Sequence, residues 1–297
     1  GQGYLDLNFL IPEVISTVAY QKGPYFAERG DFSTAGSSLI SVYDQIRPFV
    51  ELTAGSDDYR RLVTAGSIEL AKGNLLLATE VLRNDGPWVN AADVDKRNLM
   101  GKYSAHDGAV SRHVLFSYYE NDWNSTDQVP KHLVDAGSID RFGAIDPTIG
   151  GSSRRLSLIG NVQADDWHVG GYVSDYRLNL FGNFTYFLEN PTEGDQHEQV
   201  DRRTIFGGHA QRLFTVAENW AVRVGGDLRY DDIQRLDLYQ TTGRERRVAT
   251  RQDQVAWASL GAFAELEVRP IDDLRITAGL RGDYYDFEVD SVIAANA

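Results

Sequence analysis

The residues that could carry chemistry in this chain are dispersed, and their spacing matches no catalytic or metal-binding motif. Asp122, Asn124 and Thr126 alternate as in a calcium loop, but Asp127 and Leu133 stand where that loop needs its Gly and its Glu. The six histidines include no pair four residues apart, and G-x-S-x-G, Walker and G-x-G-x-x-G sequences are absent. The residues alone therefore predict no enzyme, no protein metal site and no cofactor.

Composition excludes several classes of protein. The 297 residues carry 29 basic and 43 acidic side chains, a net charge of −14, which argues against a nucleic-acid partner. No apolar run approaches the roughly 18 residues of a membrane-spanning helix, and the absence of cysteine excludes disulfides and thiolate sites. These totals resemble those of a soluble chain, but composition averages over the two faces of a strand.

The dominant pattern after about residue 45 is apolar–polar alternation with a period of two. In residues 220–230 the apolar face holds Trp220, Val222, Val224, Gly226, Leu228 and Tyr230. Residues 154–164, 176–188 and 274–284 repeat the alternation. Side chains alternate across a strand, so each segment is predicted to be a strand with one apolar and one polar face.

Strand length and aromatic placement favour a membrane. Trp220 and Tyr230 lie ten residues apart on one face, which is roughly 33 Å along a strand. A tilt of about 40° reduces this to a height of about 25 Å, which matches the apolar band between the aromatic girdles of an outer-membrane barrel. We therefore predict that Trp220 and Tyr230 belong to these girdles.

The connections give an independent indication. Eleven strands are expected near 46–54, 58–70, 75–83, 96–104, 112–122, 153–164, 167–188, 202–215, 220–236, 251–268 and 273–288. After the first link, short links alternate with long ones, and the long ones are Asn84–Asp95, Trp123–Ser152, Glu189–Asp201 and Asp237–Thr250. This alternation is typical of a transmembrane antiparallel up-and-down β-barrel, with turns on one side and loops on the other. The predicted fold class is all-β.

The first 45 residues carry a different motif. Residues 18–30 read Val-Ala-Tyr-Gln-Lys-Gly-Pro-Tyr-Phe-Ala-Glu-Arg-Gly, and a Gly-rich return follows at 30–36. This segment resembles the end of the plug domain of TonB-dependent outer-membrane receptors, and residues 8–13 upstream fit as well. Residues 141–143, 176–181 and 279–285 are similar to barrel segments of that family. Ser37 departs from the pattern, since many relatives carry Gly there.

The resemblance implies a larger architecture than this chain holds. Family members place an N-terminal plug inside a barrel of 22 strands, and only about 11 are expected here. We therefore expect residues 1–45 to be the C-terminal part of a plug and residues 46–297 the N-terminal half of a barrel. The chain begins without Met and without the TonB box, so we expect it to be an internal fragment.

The resemblance also implies a function. The family imports scarce ligands across the bacterial outer membrane, most often ferric siderophores, and draws its energy from the inner membrane through TonB. The implied partners are TonB, through a plug segment absent from this chain, a small-molecule ligand such as a metal chelate, and outer-membrane lipid.

Roles for individual residues follow from the same resemblance. Lys22 occupies the basic position that relatives use to anchor the plug to the barrel, although a solvated charge is an equally simple explanation. Gly23, Gly30 and Gly36 are expected to serve turn geometry.

A second set of residues is a candidate for ligand contact. Aromatic side chains beside a cation suit an anionic aromatic siderophore through stacking and charge. The candidates are Tyr25, Phe26, Arg29, Asp31 and Phe32. Packing of these side chains against the barrel wall is the competing explanation, and the sequence favours it.

Two other kinds of protein remain as alternatives. A passive outer-membrane porin would share the strand pattern but would not use residues 1–41 as a plug. A soluble β-rich glycan-binding module or glycan hydrolase would need a second sheet to cover its apolar strand faces.

Overall fold

The computed structural model describes residues 6–30 and 33–293, and these residues are built almost entirely from antiparallel strands. A small sheet pairs β1 (Ile15–Lys22) with β2 (Gly36–Val42). The large sheet contains β3 (Phe49–Ala54), β4 (Arg60–Leu70), β5 (Gly73–Asn84), β6 (Val94–Asp107), β7 (Val110–Asn124), β8 (Gly150–Gln163), β9 (Trp167–Gly182), β10 (His197–Ala217), β11 (Trp220–Thr242), β12 (Glu245–Ile271) and β13 (Leu274–Ser291).

Helical structure is confined to two short elements. A 3-10 helix spans Pro12–Val14, and α1 spans Lys131–Asp135. In the part of the chain that the structure describes, no helix has the length and apolar character needed to cross a bilayer.

The large sheet is an up-and-down meander of eleven strands. Each strand pairs antiparallel with the next one along the chain, and the order runs from β3 at one edge to β13 at the other. All eleven strands match those expected from the alternation, so the all-β fold is confirmed. The division of the chain at residue 45 into plug and barrel stays a prediction.

The two ends of the sheet differ in their connections. At the turn end, links of two or three residues join β4–β5, β6–β7, β8–β9, β10–β11 and β12–β13. At the loop end lie the links 55–59, 85–93, 125–149, 183–196 and 243–244. The predicted long link Asp237–Thr250 is wrong, because β11 and β12 continue to a two-residue turn at Gly243 and Arg244. Both turn residues have positive φ, 58° and 69°, the geometry of a tight hairpin.

The inner face of the large sheet is the one that the N-terminal residues cover. Ile11 and Val14 are fully buried against Val63 of β4, Leu76 of β5 and Met100 of β6. Because side chains alternate along each strand and register partners share a face, these contacts fix which residues of every strand point inward. We call the space on this side of the sheet the lumen.

The outer face carries the apolar band. On β11, Trp220 and Tyr230 point outward with Val224 between them, and their exposed fractions are 45%, 42% and 38%. Beyond Tyr230 the same face continues with Asp232 and Gln234, so the apolar stripe ends at Tyr230. The structure thus places both aromatics on the face that the sequence assigned to lipid, and their role in girdles stays a prediction.

In a barrel strand the alternation of residues 176–188 predicts that Tyr176 and Leu178 point outward to lipid, and the structure shows the reverse. Tyr176 and Leu178 pair in register with Arg155 and Ser153 of β8, and Ser153 faces inward toward Asp6. Tyr176 and Leu178 therefore point into the lumen, and β9 ends at Gly182. The upper part of this strand lies beyond the apolar band, where lipid no longer requires an apolar outer face.

The outer face gives a prediction about insertion. Leu228→Arg, between the register partners Gly208 and Leu260, places a charge inside the apolar band and should cost about 2–4 kcal/mol of folding free energy in a bilayer. Asp232→Arg, on the same face above the band, is the matched control and should cost far less. Urea unfolding in lipid vesicles measures both, and equal losses would contradict the assignment of the band.

Candidate functional site

A buried charge network joins the N-terminal segment to the wall of the lumen. Arg61 of β4 donates two hydrogen bonds to Glu13, at 2.6 and 2.9 Å, and a third to Glu80 of β5, at 2.6 Å. Lys96 of β6 lies 3.0 Å from Glu80, whose side chain is 1% exposed. A carboxylate this deeply buried requires such partners. The hydrogen bond from Arg61 lowers the pKa of Glu13 below its ordinary value.

Further contacts hold the same segment along β6 to β8. Asn98 donates a hydrogen bond to the backbone carbonyl of Asn8 at 2.9 Å, and the guanidinium of Arg155 stacks on Phe9 at 4.5 Å. Lys102 donates to the carbonyl of Val42 at 2.5 Å. Residues 6–14 and the end of β2 are thus fixed to one side of the lumen.

The loop that follows β1 reaches the other side of the lumen. Glu28 lies 3.8 Å from Arg223 of β11, and Ala27 approaches Gly279 of β13 so closely that a Cβ at 279 would lie 2.7 Å from it. Gly30 packs against the guanidinium of Arg281, and no Cβ would fit there. Arg281 in turn binds Asp227 and Asp283, at 2.8 and 2.6 Å.

The predicted anchor and turn residues lie in this loop region. Lys22 is exposed and forms no ion pair within residues 6–30 and 33–293. Gly23 and Gly36 adopt φ of 77° and 137°, and Gly30 makes the close approach to Arg281. Gly23 and Gly36 therefore have backbone angles that other residues rarely adopt. Anchoring by Lys22 stays a prediction, whereas Glu13 makes the ion pairs that the structure shows.

The predicted ligand contacts lie low in the lumen. Tyr25 is 79% exposed, and Arg29 hydrogen-bonds Gln21 at 2.8 Å. Tyr25 and Phe26 border a cavity of about 490 Å³ whose wall residues come from the turn-end half of β10 to β13. Asp31 and Phe32 lie outside the described residues. The role of all five candidates in ligand contact stays a prediction. A ligand that enters from the loop end would first meet residues nearer that end.

A larger cavity opens on the inner face at the loop end. Its volume is about 820 Å³, and the 183–196 loop forms one side of it. The opposite side consists of inward-facing residues of β10 to β12, namely His197, Gln199, Leu236, Leu238, Gln240, Thr250 and Arg251. The size suits a ligand of drug-like or chelate dimensions.

An aromatic platform lies below this cavity on β12 and β13. Trp257 is parallel to Phe287, with ring centroids 6.1 Å apart, and Tyr285 stacks on both at 6.4 Å. The guanidinium of Arg229 on β11 covers the Trp257 ring at 4.6 Å. Phe287 remains 62% exposed to the lumen. The platform combines flat apolar surface with a cation, as an anionic aromatic ligand requires.

Sequence reasoning missed this platform because its residues interrupt the alternation. Tyr285 and Phe287 continue the face of Arg281 and Asp283, which the alternation predicts to be polar, and Trp257 shares that face as the register partner of Phe287. Aromatic residues on the polar face are the sequence feature that indicates the platform, since an aromatic ring that faces the lumen has no lipid to contact.

Hydrogen bonds connect the links 125–149, 183–196 and 243–244 at the loop end. Asp146 accepts hydrogen bonds from Thr148, Asn183 and Gln196. Burial raises the pKa of Asp146, but these hydrogen bonds outweigh it and leave the pKa below its ordinary value. Arg244, at the tip of the β11–β12 hairpin, donates to the carbonyl of Thr148 at 2.6 Å. Three links at the loop end are therefore held together.

Comparisons with known proteins identify the fold. No protein-family model matches the sequence, and no curated protein matches it. The ferric citrate transporter FecA, in its unliganded form, superimposes with a TM-score of 0.70 at 16% identity, over 93% of this chain and 43% of FecA. The pyoverdine outer membrane receptor FpvA from Pseudomonas aeruginosa gives 0.70 at 12% identity, over 95% and 47%. The copper transporter OprC gives 0.68 at 14% identity, over 95% and 44%.

The fold is that of a TonB-dependent receptor barrel. The chain spans less than half the length of each of these solved structures. These neighbours are transporters and receptors, not enzymes. The fold is one that outer-membrane receptors have, in agreement with the predicted location.

The charge network gives a prediction about anchoring. Glu13→Gln removes the charge that Arg61 binds and should weaken the contact by about 1–3 kcal/mol. Because the pKa of Glu13 is lowered in the fold, the same contribution is present above the ordinary carboxyl pKa and is lost as the pH falls through the lowered value.

Because the chain contains no cysteine, a single introduced cysteine can report how firmly the N-terminal segment is held. A Val14→Cys reporter, buried in the structure, should react faster with a thiol reagent in the Glu13→Gln background and at an unchanged rate with Lys22→Gln. Faster labelling with Lys22→Gln alone would restore Lys22 as the anchor.

Proposed function

We propose that this chain forms part of a TonB-dependent outer-membrane receptor that actively imports a ferric siderophore or a similar metal chelate. The observation that carries the proposal is the burial of the protein's own N-terminal segment on the inner face of a membrane-type sheet. Ile11 and Val14 are 0% exposed there, and Glu13 is tied to the wall by Arg61. A passive porin would leave its lumen open and has no use for such a segment.

The edges of the sheet support the proposal that this chain is one part of the barrel. Backbone groups on the free sides of β3 and β13 have no ladder partner in the large sheet, and lipid cannot satisfy them. We assign residues 1–45 to the end of the plug and residues 46–297 to the first half of the barrel. Further strands of the same receptor would close the sheet, and TonB would act on a plug segment outside this chain.

The ligand path follows from the two levels of the lumen. The cavity beside the 183–196 loop receives the ligand, and the platform of Trp257, Tyr285 and Phe287 with Arg229 binds its aromatic, anionic part. Tyr25, Phe26 and Arg29 line the path lower down, where the plug loop meets the wall. This protein would therefore bind and move its cargo without altering it chemically.

The soluble alternative conflicts with the outer face. Leu228 of β11, Leu260 of β12 and Tyr284 of β13 are exposed register partners that form an apolar row, and no second sheet covers it among the described residues. An apolar surface of this extent is expected to meet lipid or another protein.

Energy coupling provides the deciding test. Cells that depend on this receptor should accumulate a radiolabelled ferric chelate only while TonB is present and the proton gradient is intact. A TonB deletion and an uncoupler should each reduce uptake to background. Uptake that persists in both would favour a passive channel, and a protein that is monodisperse in water without detergent would favour the soluble module.

The platform provides a second test, on ligand binding. Trp257→Ala removes the central ring of the stack and should weaken binding of an aromatic ferric chelate about tenfold, since a stacked aromatic contact contributes about 0.5–1.5 kcal/mol beyond its area. Trp220→Ala, on the outer face of β11, is the matched control and should leave binding unchanged. Fluorescence titration in detergent measures both, and equal effects would remove the platform from the binding site.

A further inference from the structure

Three of the six histidines, dispersed in the sequence, meet on the inner face near the turn end. His113 on β7, His168 on β9 and His209 on β10 converge around Asn161 of β8, and each shares a face with residues that contact the N-terminal segment or the buried charges of the lumen. The sequence showed no such group because the four residues span almost one hundred positions and are joined only by strand register.

The pair at the centre has the spacing of two metal ligands. The Nε2 atoms of His168 and His209 lie 3.3 Å apart. Two imidazole nitrogens bound to one tetrahedral ion, each at about 2.0–2.1 Å, are separated by about 3.3 Å. The Oδ1 of Asn161 lies 3.1 Å from the Nε2 of His168, within the range of a third ligand to the same ion.

A hydrogen-bonded chain does not satisfy this arrangement. Asn161 uses its Nδ2 on His113 Nε2, at 3.1 Å, so its Oδ1, which can only accept, faces the pair. A neutral imidazole carries one N–H, and the single proton on His168 Nε2 cannot serve both Asn161 and His209. In either tautomer of His168, therefore, one of these two contacts lacks a proton, and a cation bound to all three atoms would satisfy both.

The backbone at this point permits the close approach of Asn161 and His209. Gly170 of β9 faces the cluster, and a Cβ at that position would collide with Asn161 Oδ1 and lie 2.9 Å from His209 Nε2. The absence of a side chain thus keeps open the place where the oxygen and the nitrogen approach each other. Asp227 of β11 is the register partner of His209, so a carboxylate lies beside the cluster on the same inward face.

We propose that His168, His209 and Asn161 bind a divalent transition-metal ion, of the class of Zn²⁺, Cu²⁺ or Ni²⁺, on the wall of the lumen. Imidazole nitrogen is a preferred ligand of these ions. His113 positions the amide of Asn161 and does not bind the ion itself. Within residues 6–30 and 33–293 no three His, Cys, Asp or Glu side chains converge as ligands, so water completes the coordination and the ion can exchange.

The site can be tested without knowledge of the imported chelate. The full-length receptor in detergent micelles, freed of metal by a chelator, is titrated with Zn²⁺ in a calorimeter, and Co²⁺ is used for its absorption spectrum. We expect one saturable ion per chain and a Co²⁺ spectrum of a four-coordinate nitrogen and oxygen site. The His168→Ala/His209→Ala variant should lose at least about a hundredfold in affinity, and His113→Ala about tenfold.

Two further variants test whether Zn²⁺ binds at this cluster and not at other histidines. Gly170→Ala fills the place where the ligands meet while leaving every imidazole intact, and it should also abolish binding. His106→Ala/His132→Ala removes two histidines outside the cluster and should bind Zn²⁺ like the unaltered protein. Absence of saturable binding, or equal binding by the His168→Ala/His209→Ala variant, would overturn the proposal and leave the pair as a polar contact of the wall. Each variant is first shown to keep the heat-modifiable gel mobility of the folded barrel.

Discussion

Every feature of this sheet depends on one constraint: inside a bilayer, each backbone N–H and C=O must find its partner within the protein. A continuous antiparallel ladder meets this requirement for β4 to β12, and it forces the side chains to alternate between lipid and lumen. The strands are long because the ladder must cross the apolar layer without interruption. Turns of two or three residues suffice at one end, where the chain has only to reverse direction. On the free sides of β3 and β13, the backbone N–H and C=O groups have no ladder partner in the large sheet.

The same constraint explains how much of the fold the sequence could predict. Lipid demands apolar residues on one face, so the band on β11 from Trp220 to Tyr230 is visible in the sequence and all eleven strands were found. Beyond the band that demand ends. The β11–β12 hairpin continues to Gly243 with polar residues on both faces, and the sequence indicated a loop there. For Tyr176 the alternation was read correctly, but without lipid to mark the outside its face was reversed.

The site was less predictable because it is assembled across strands. Glu13 and Arg61 are 48 positions apart, and nothing local distinguishes either from a solvated surface charge. What is local is the spacing of charges within a strand. Arg203 binds Asp201, Arg229 binds Asp231 and Arg281 binds Asp283, each pair two residues apart and therefore on one face. Such pairs neutralise charge on the inner wall within each strand, and Arg203 and Arg281 also reach Asp231 and Asp227 on β11.

The N-terminal segment is held unevenly, and this has a mechanical consequence. Residues 6–14 contact β4 to β8 through a tightly packed apolar core and charge pairs, whereas residues 27–30 touch the opposite wall at only a few points. Apolar contacts lose their strength within a few ångströms of separation. A force on the segment would therefore free the loop beside Arg223 and Arg281 first and leave the side at Val63 and Leu76 as a hinge. The segment would rotate about this hinge, and the gap between the segment and the wall would form along β11 to β13.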